Sequence, residues 1–321
     1  MGDAAGARLS AFTVDVEDWY QSCFDLDAPI SERVVRNVHR ILALLDAVDV
    51  KGTFFVQGRV AEAYPQLLQT LVAEGHELQS HGYSHRSLHA MTRRELRREL
   101  EYAKKTVEDA SGERVWAFRA PDFSIGRSNL WALEVLSELG FEVDSSLFPA
   151  RAARYGIPGW ELGPHRLGLA DRGEILEVPV AIWPVAGMRL SVAGGGYWRV
   201  LPRAVLERGI RAIIASDRPV VLYCHPYEFS PREFDDYRRE VPWSRRVSQS
   251  LGRAAAVDRF AQLMNTFPFG RFDETLRAWS LPERAPRRIA ALEEADLARR
   301  SWNVSPNARS HSPTESRSEA A

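Results

Sequence analysis

The segment Ser80-His81-Gly82-Tyr83-Ser84-His85 sets two histidines four positions apart, directly after the alternating run His76-Glu77-Leu78-Gln79. Neutral imidazoles are common ligands for zinc and similar divalent ions. If the chain turns helical after the strand, positions i and i+4 share a face and the two rings meet one ion. Such a pair wants a carboxylate nearby. Asp15, Glu17 and Asp18 stand behind the apolar run beginning at Phe12, and no other segment places three carboxylates so close behind a strand of buried character. Strand alternation puts Glu17 on the side of Asp15, which favours Glu17 over Asp18 as the third ligand, whereas a bulge at Val16 would bring Asp18 round instead.

The elements that must position these residues alternate along the chain. Leu9 to Val16 reads as a buried strand, and Ser31-Glu32-Arg33 opens a helix with apolar positions Val34, Val38, Ile41, Leu42, Leu45 and Val48. Gly52 to Val56 is strand, a helix runs from Tyr64 through Val72 to a stop at Gly75, and His76 to Ser80 is strand again. Thr92-Arg93-Arg94-Glu95 has the form of a capping box and starts a charged helix ending near Gly112, its Arg/Glu run a solvated face. Val115 to Arg119 and Phe141 to Ser145 are further strands, separated by a helix from Asn129 to Leu139. Successive strand-helix units imply a parallel sheet, open or closed into a barrel. The pattern loosens from Arg151 to Arg199, where an apolar run covers Ile175 to Val180. There Gly194-Gly195-Gly196 lacks the frame of a phosphate loop and reads as a loop where backbone passes closely. A helix from Pro202 to Ser216 precedes the strand Pro219 to Cys224, which delivers His225-Pro226-Tyr227-Glu228, and a last helix covers Arg253 to Phe267.

Composition narrows the class. With 321 residues, 45% hydrophobic and 26% charged, the chain is long enough for a well-buried α/β core. A formal charge of −1 gives no electrostatic grip on nucleic acid. Cys23 and Cys224 stand far apart, outside any metal or disulfide spacing. No window is long and apolar enough for a membrane span, and the first thirty residues show no export signal, so the expected location is the cytoplasm. Residues 1–8, and the Arg, Glu, Ser and Ala-rich stretch 282–321 for the most part, are expected to be disordered.

Listed by strand end, the chemistry-bearing residues are Asp15, Glu17 and Asp18, then His81 and His85, then Arg119, Asp144 and His225. In parallel α/β folds the carboxyl ends of the strands gather the site. This order resembles the polysaccharide deacetylase family (NodB homology, carbohydrate esterase 4) from Leu9 to His225. Val-Asp-Val-Glu-Asp-Trp, Ser-His-Gly-Tyr-Ser-His, Phe-Arg-Ala-Pro-Asp, Asp-Ser-Ser-Leu-Phe-Pro, Gly-Gly-Gly-Tyr-Trp-Arg and His-Pro-Tyr-Glu are similar to the subgroup found with exosortase-linked exopolysaccharide gene clusters.

The resemblance implies a distorted, incomplete (β/α) barrel in one catalytic domain, 9–281. Segments 9–150 and 200–226 would carry the motifs, and 227–281 would be a subgroup-specific part. It implies metal-dependent hydrolysis of N-acetyl groups on an exopolysaccharide or its lipid-linked precursor. In that scheme His81, His85 and either Glu17 or Asp18 hold a divalent metal, zinc first and iron, cobalt or nickel as alternatives. Asp15 is the base, Arg119 keeps it ionised, His225 is the general acid, and Asp144 completes the catalytic set. Asp122, Phe123, Tyr223 and Trp19 would contact substrate, Asp122 standing where the family's tyrosine supplies a backbone N–H to the oxyanion. Val16 stands where the family has its metal-binding Asp, and Tyr223 replaces the leucine of the acetyl pocket. Rival readings are an amidase on a small cyclic amide and a non-catalytic glycan-binding module.

Overall fold

Seven residues of unbroken burial, Ser10–Val16, form the first strand, β1. A strand buried on every residue needs partners on both edges and cover on both faces, the environment of a parallel α/β sheet. The computed structural model, described over residues 8–152, 155–170, 173–237, 239–279 and 286–289, supplies it. Strands β2 (Thr53–Val56), β3 (Glu77–Ser80), β4 (Ala117–Phe118) and β5 (Val143–Asp144) follow, each parallel to its predecessor. An antiparallel hairpin of β6 (His165–Gly168) and β7 (Glu174–Glu177) continues the sheet through β7, which lies parallel to β5. A second hairpin, β8 (Ile182–Val185) and β9 (Met188–Ser191), stands apart. The sheet is completed by β10 (Val221–Cys224) and β11 (Phe269–Gly270) on β1, and by β12 (Arg287–Arg288) on β6.

The path β10-β1-β2-β3-β4-β5-β7 curls into a barrel whose seam is irregular chain. Val178 N–H donates to Asp144 O (2.8 Å), Ala181 N–H to Val221 O (2.9 Å) and Tyr223 N–H to Ala193 O (3.0 Å), and these bonds bridge the gap that no regular strand fills. The barrel is therefore incomplete, as expected, and periodicity had no means of choosing it over an open sheet.

The helices are α1 (Trp19–Cys23), α2 (Arg33–Ala47), α3 (Gly58–Ala63), α4 (Pro65–Ala73), α5 (Arg93–Ser111), α6 (Ala132–Glu138), α7 (Gly195–Val200), α8 (Arg203–Ala215), α9 (Trp243–Ser250), α10 (Ala256–Met264) and α11 (Phe272–Ala278). The stripe Val34, Val38, Ile41, Leu42 and Leu45 of α2 is buried, each such side chain worth roughly 2 kcal/mol in area removed from water. The capping box of Thr92 and Glu95 starts α5, and Gly112 ends it in the left-handed conformation (φ 74°).

Several expectations shift. A break at Tyr64, where Pro65 opens α4, separates that helix from α3. The loosened stretch after Arg151 holds two hairpins, and the triple glycine opens α7 rather than lying in a loop. Of the terminal segments expected to be disordered, 1–7, 282–285 and 290–321 lie outside the described residues. Residues 287–288 within the second are strand, paired with β6.

Candidate active site

Three side chains at alternate positions of the first strand and its extension, Thr13, Asp15 and Glu17, point into the mouth of the barrel. The backbone stays extended through Asp18 (φ −86°, ψ 125°) before α1 begins, so the alternation is not interrupted. Arg119, which follows β4, is fully buried and reads the first two of these groups. Its Nη1 donates to Thr13 Oγ1 (2.7 Å) and to Asp15 Oδ1 (2.8 Å), its Nη2 to Ser145 Oγ (3.1 Å), and its guanidinium lies 4.2 Å from the Phe55 ring centroid. A buried cation persists only when paired, and Asp15 is its carboxylate.

The two histidines meet, though not as one helical face. Residues 81–87 form a loop with Gly82 at φ 72° and His85 at φ 64°, and these left-handed residues fold the second ring back to 5.5 Å from the first. Only glycine takes such a φ without steric cost, which accounts for Gly82 between the two histidines. Neighbouring elements hold the loop. Gly58 N–H, at the start of α3, donates to Gly82 O (2.8 Å), and Glu99 of α5 accepts from the N–H groups of Tyr83 (3.2 Å) and Ser84 (2.6 Å). The charged run of α5 is thus not wholly a solvated face.

Glu17, His81 and His85 offer one ligand atom each within 4.8 Å of one another, all three buried. His81 Nδ1 lies 2.9 Å from Arg119 O, which assigns the proton to Nδ1 and leaves Nε2 as a lone pair facing Glu17 Oε2 at 3.7 Å. His85 Nε2 contacts the same oxygen. Glu17 Oε2 accepts no conventional hydrogen bond although it is buried, an orphaned acceptor between two imidazoles that suits a divalent cation. Burial by itself would raise the Glu17 pKa, but the His85 charge, the close approach of the His81 and His85 rings and the His225 charge outweigh it and hold Glu17 well below the usual carboxylate range. The donor set fits a divalent metal of the zinc type.

His225 follows β10 and closes the site from the other side. Its Nε2 is 3.7 Å from Glu17 Oε1 and its Nδ1 is 3.7 Å from Glu228 Oε1, while its ring stacks on Tyr227 at 4.9 Å. Burial would lower its pKa, yet the facing Glu228 carboxylate first, then the charges of Glu17 and Asp15, carry it up to about 9. A cavity of about 180 Å³ joins these groups, walled also by Cys23, Asp122, Phe123, Tyr155, Tyr223 and Tyr227. Phe123 and Tyr223 meet edge to face at 4.9 Å and form an apolar wall, so a tyrosine occupies the place of the family's leucine. Asp122 lies at the mouth with φ 53°.

Three sequence-derived assignments are corrected. Asp18 is not at the metal set: its Oδ1 caps α1 by accepting from Tyr20 N–H (2.9 Å) and Gln21 N–H (3.1 Å), and its Oδ2 accepts from Ser31. Trp19 does not reach the cavity. It is buried against Phe234 in a small cluster with Tyr227 and Val241, because α1 begins at Trp19 and ends the strand alternation that would have carried it to the barrel mouth. Asp144 sits below the cavity, accepting from Ser146 Oγ (2.5 Å), and burial raises its pKa to about 6. Beside it burial and the Asp144 charge raise Glu177 well above the carboxylate range. Tyr155, Glu177 and Glu228 were not singled out from sequence. The available signals were a charge inside the apolar run 175–180 and the Glu that closes His-Pro-Tyr-Glu.

An incomplete (β/α) barrel with a candidate divalent-metal set, a carboxylate–arginine pair and a histidine at its strand ends is the class the fold and site define. Residues 19–143 match the family model described as polysaccharide deacetylase, and residues 145–277 match a domain of unknown function (DUF3473). The polysaccharide deacetylase match takes in the histidine pair and Arg119. The chain is 35% identical over 98 residues to the chitooligosaccharide deacetylase of Sinorhizobium fredii, which covers 30% of this chain and 43% of that protein. The chain spans less than half the length of the first curated relatives it matches. Two solved structures share the fold at 18% identity, each covering 85% of this chain. They are Puue allantoinase (90% of that chain, TM-score 0.57) and a probable polysaccharide deacetylase from Pseudomonas aeruginosa PAO1 (91%, TM-score 0.56). The site draws on both matched regions, since Arg119 lies in the first and His225 in the second.

Proposed function

We propose that this protein hydrolyses N-acetyl groups on an acetylated glycan, an exopolysaccharide or its lipid-linked precursor, with a divalent metal, zinc first, held by Glu17, His81 and His85. The observation that carries the reading is the convergence of a metal-type donor set, an arginine-bound carboxylate and an imidazole on one cavity. An amide is a poor electrophile with a poor leaving group, so its hydrolysis needs all three. The metal, when bound, would polarise the acetyl carbonyl and acidify a water.

This chain's residues do the rest. Asp15, oriented by its bond to Arg119 Nη1, takes a proton from the water as it adds to the carbonyl carbon. His225 gives a proton to the nitrogen as the C–N bond breaks, and the products are acetate and the free amine. Phe123 and Tyr223 face the acetyl methyl. A glycan is favoured over a small cyclic amide because an adjoining cavity of about 400 Å³, lined by His89, Arg127 and Ile157, shares Tyr155 with the first and gives an extended ligand room to run on. A binding module would need neither Asp15 with Arg119 nor His225.

The test is acetate release from N-acetylated chitooligosaccharides and from acetylated exopolysaccharide by zinc-loaded protein. Release that stops on chelation and in Asp15→Asn is expected. Metal-loaded protein that frees no acetate from either would overturn the reading.

A further inference from the structure

Glu228 takes part in no step of the proposed reaction, yet it is buried against His225. His225 Nδ1 is buried and makes no conventional hydrogen bond, and it faces Glu228 Oε1 at 3.7 Å. The same carboxylate accepts from the His225 backbone N–H through Oε2 (3.4 Å) and lies 3.7 Å from Arg199 Nη2 through Oε1. Its seat is cut by the glycine run. A Cβ on Gly195 would fall 1.6 Å from Glu228 Oε2, and one on Gly194 would fall 2.7 Å from the Tyr223 hydroxyl. Any side chain at 195 therefore expels the carboxylate. Asp144, the acid that sequence order offered for this neighbourhood, is bonded to Ser146 and does not line the cavity.

We propose that Glu228, seated in the Gly194-Gly195 notch and tethered by Arg199, is the positioning residue of His225: it holds Nδ1–H toward itself so that Nε2 faces the cavity. This rests on the deacetylase reading. When His225 passes its Nε2 proton to the departing nitrogen, the ring is left as the neutral Nδ1–H tautomer, the form that a carboxylate at Nδ1 favours. Two residues of the Gly-Gly-Gly-Tyr-Trp-Arg segment then serve the histidine, Gly195 making the notch and Arg199 holding the carboxylate in it.

Two measurements test this, one independent of turnover. In zinc-loaded protein labelled with ¹⁵N-histidine, the His225 ring at alkaline pH is expected as the Nδ1–H tautomer in wild type and as an Nε2–H or mixed ring in Glu228→Gln and Gly195→Ala. Kinetically, Glu228→Gln is expected to lower kcat for acetylated chitooligosaccharides by about 100-fold with KM and zinc content unchanged. Hydrolysis of 4-nitrophenyl acetate, whose leaving group departs without a proton, should stay within about twofold. Glu228→Asp should recover part of the loss. A wild-type Nε2–H ring, a spectrum indifferent to Glu228→Gln, or equal losses on amide and ester would each overturn the proposal. Wild-type protein that shows the Nδ1–H ring but frees no acetate would overturn the deacetylase reading alone, leaving the Glu228 geometry standing.

Discussion

Glu17 and Asp18 are adjacent carboxylates with opposite assignments, and substituting each separates metal binding from folding. Asp18 is buried and accepts from the N–H groups of Tyr20, Gln21 and Ser31 as well as the Ser31 hydroxyl. Loss of an N-cap costs about 1 kcal/mol, and each donor left buried beside a missing charged acceptor adds about 1 kcal/mol or more, so Asp18→Ala should cost about 3 kcal/mol. For a domain of this size that is a fall in Tm of roughly 6 °C. Zinc stoichiometry should stay at one, because Asp18 points away from the histidines. Glu17→Gln can keep its Oε1 as acceptor for the Tyr227 hydroxyl (3.1 Å) and replaces Oε2, which accepts no hydrogen bond, so its fold should hold. Its zinc affinity should drop by more than about 100-fold, since even outer-shell partners of a metal ligand cost 10- to 100-fold. Calorimetric zinc titration and thermal melts of apo protein read both quantities. Zinc lost in Asp18→Ala and retained in Glu17→Gln would refute the argument from alternation.

Asp15→Asn should keep zinc at full stoichiometry and lose acetate release, by at least about 100-fold, because Asp15 is bonded to Arg119 and lies outside the Glu17, His81 and His85 donor set; metal analysis beside an acetate assay decides it. His76 accepts Gly52 N–H at Nδ1 (3.0 Å), and burial first, then Lys51 and Arg271, lower its pKa from 6.5 to about 4. A depressed imidazole stabilises the fold above its unfolded pKa and loses that contribution as pH falls, so apo-protein melts should weaken between pH 6.5 and about 4, less so in His76→Asn. Asp144 is shifted the other way by burial, from 3.8 to about 6. Its contribution is therefore complete in acid and lost as pH rises across that window. Glu177→Gln, which gives Asp144 an amide in place of a second acid, should flatten this loss; melts from pH 4 to 7 that superimpose on wild type would count against a coupled pair.

The order of strands and helices was legible in the sequence because burial writes a pattern into it: the apolar Ala11, Phe12, Val14 and Val16 of β1 report cover on both faces, and the stripe of α2 reports solvent on one side and core on the other. The alternation that selected Glu17 is equally local, since an extended backbone fixes side-chain direction residue by residue. The histidine pair was legible as a pair but not as a geometry. Its rings converge through left-handed residues and through Glu99 and Gly58, contacts with α5 and α3 that no local window contains. Short strands such as β4 and β5 are pinned by neighbours on both edges rather than by their own composition, which is why their bounds came out long. Trp19 and Asp144 carried the right chemistry at the right place in the order, and tertiary packing turned one outward to Phe234 and sank the other beneath the cavity. Glu228 shows the same limit from the other side. That a glutamate three residues beyond His225 reaches its ring, in a notch left by glycines some thirty positions earlier, is decided by how α7 packs on β10, a contact between distant segments that spacing along the chain does not encode.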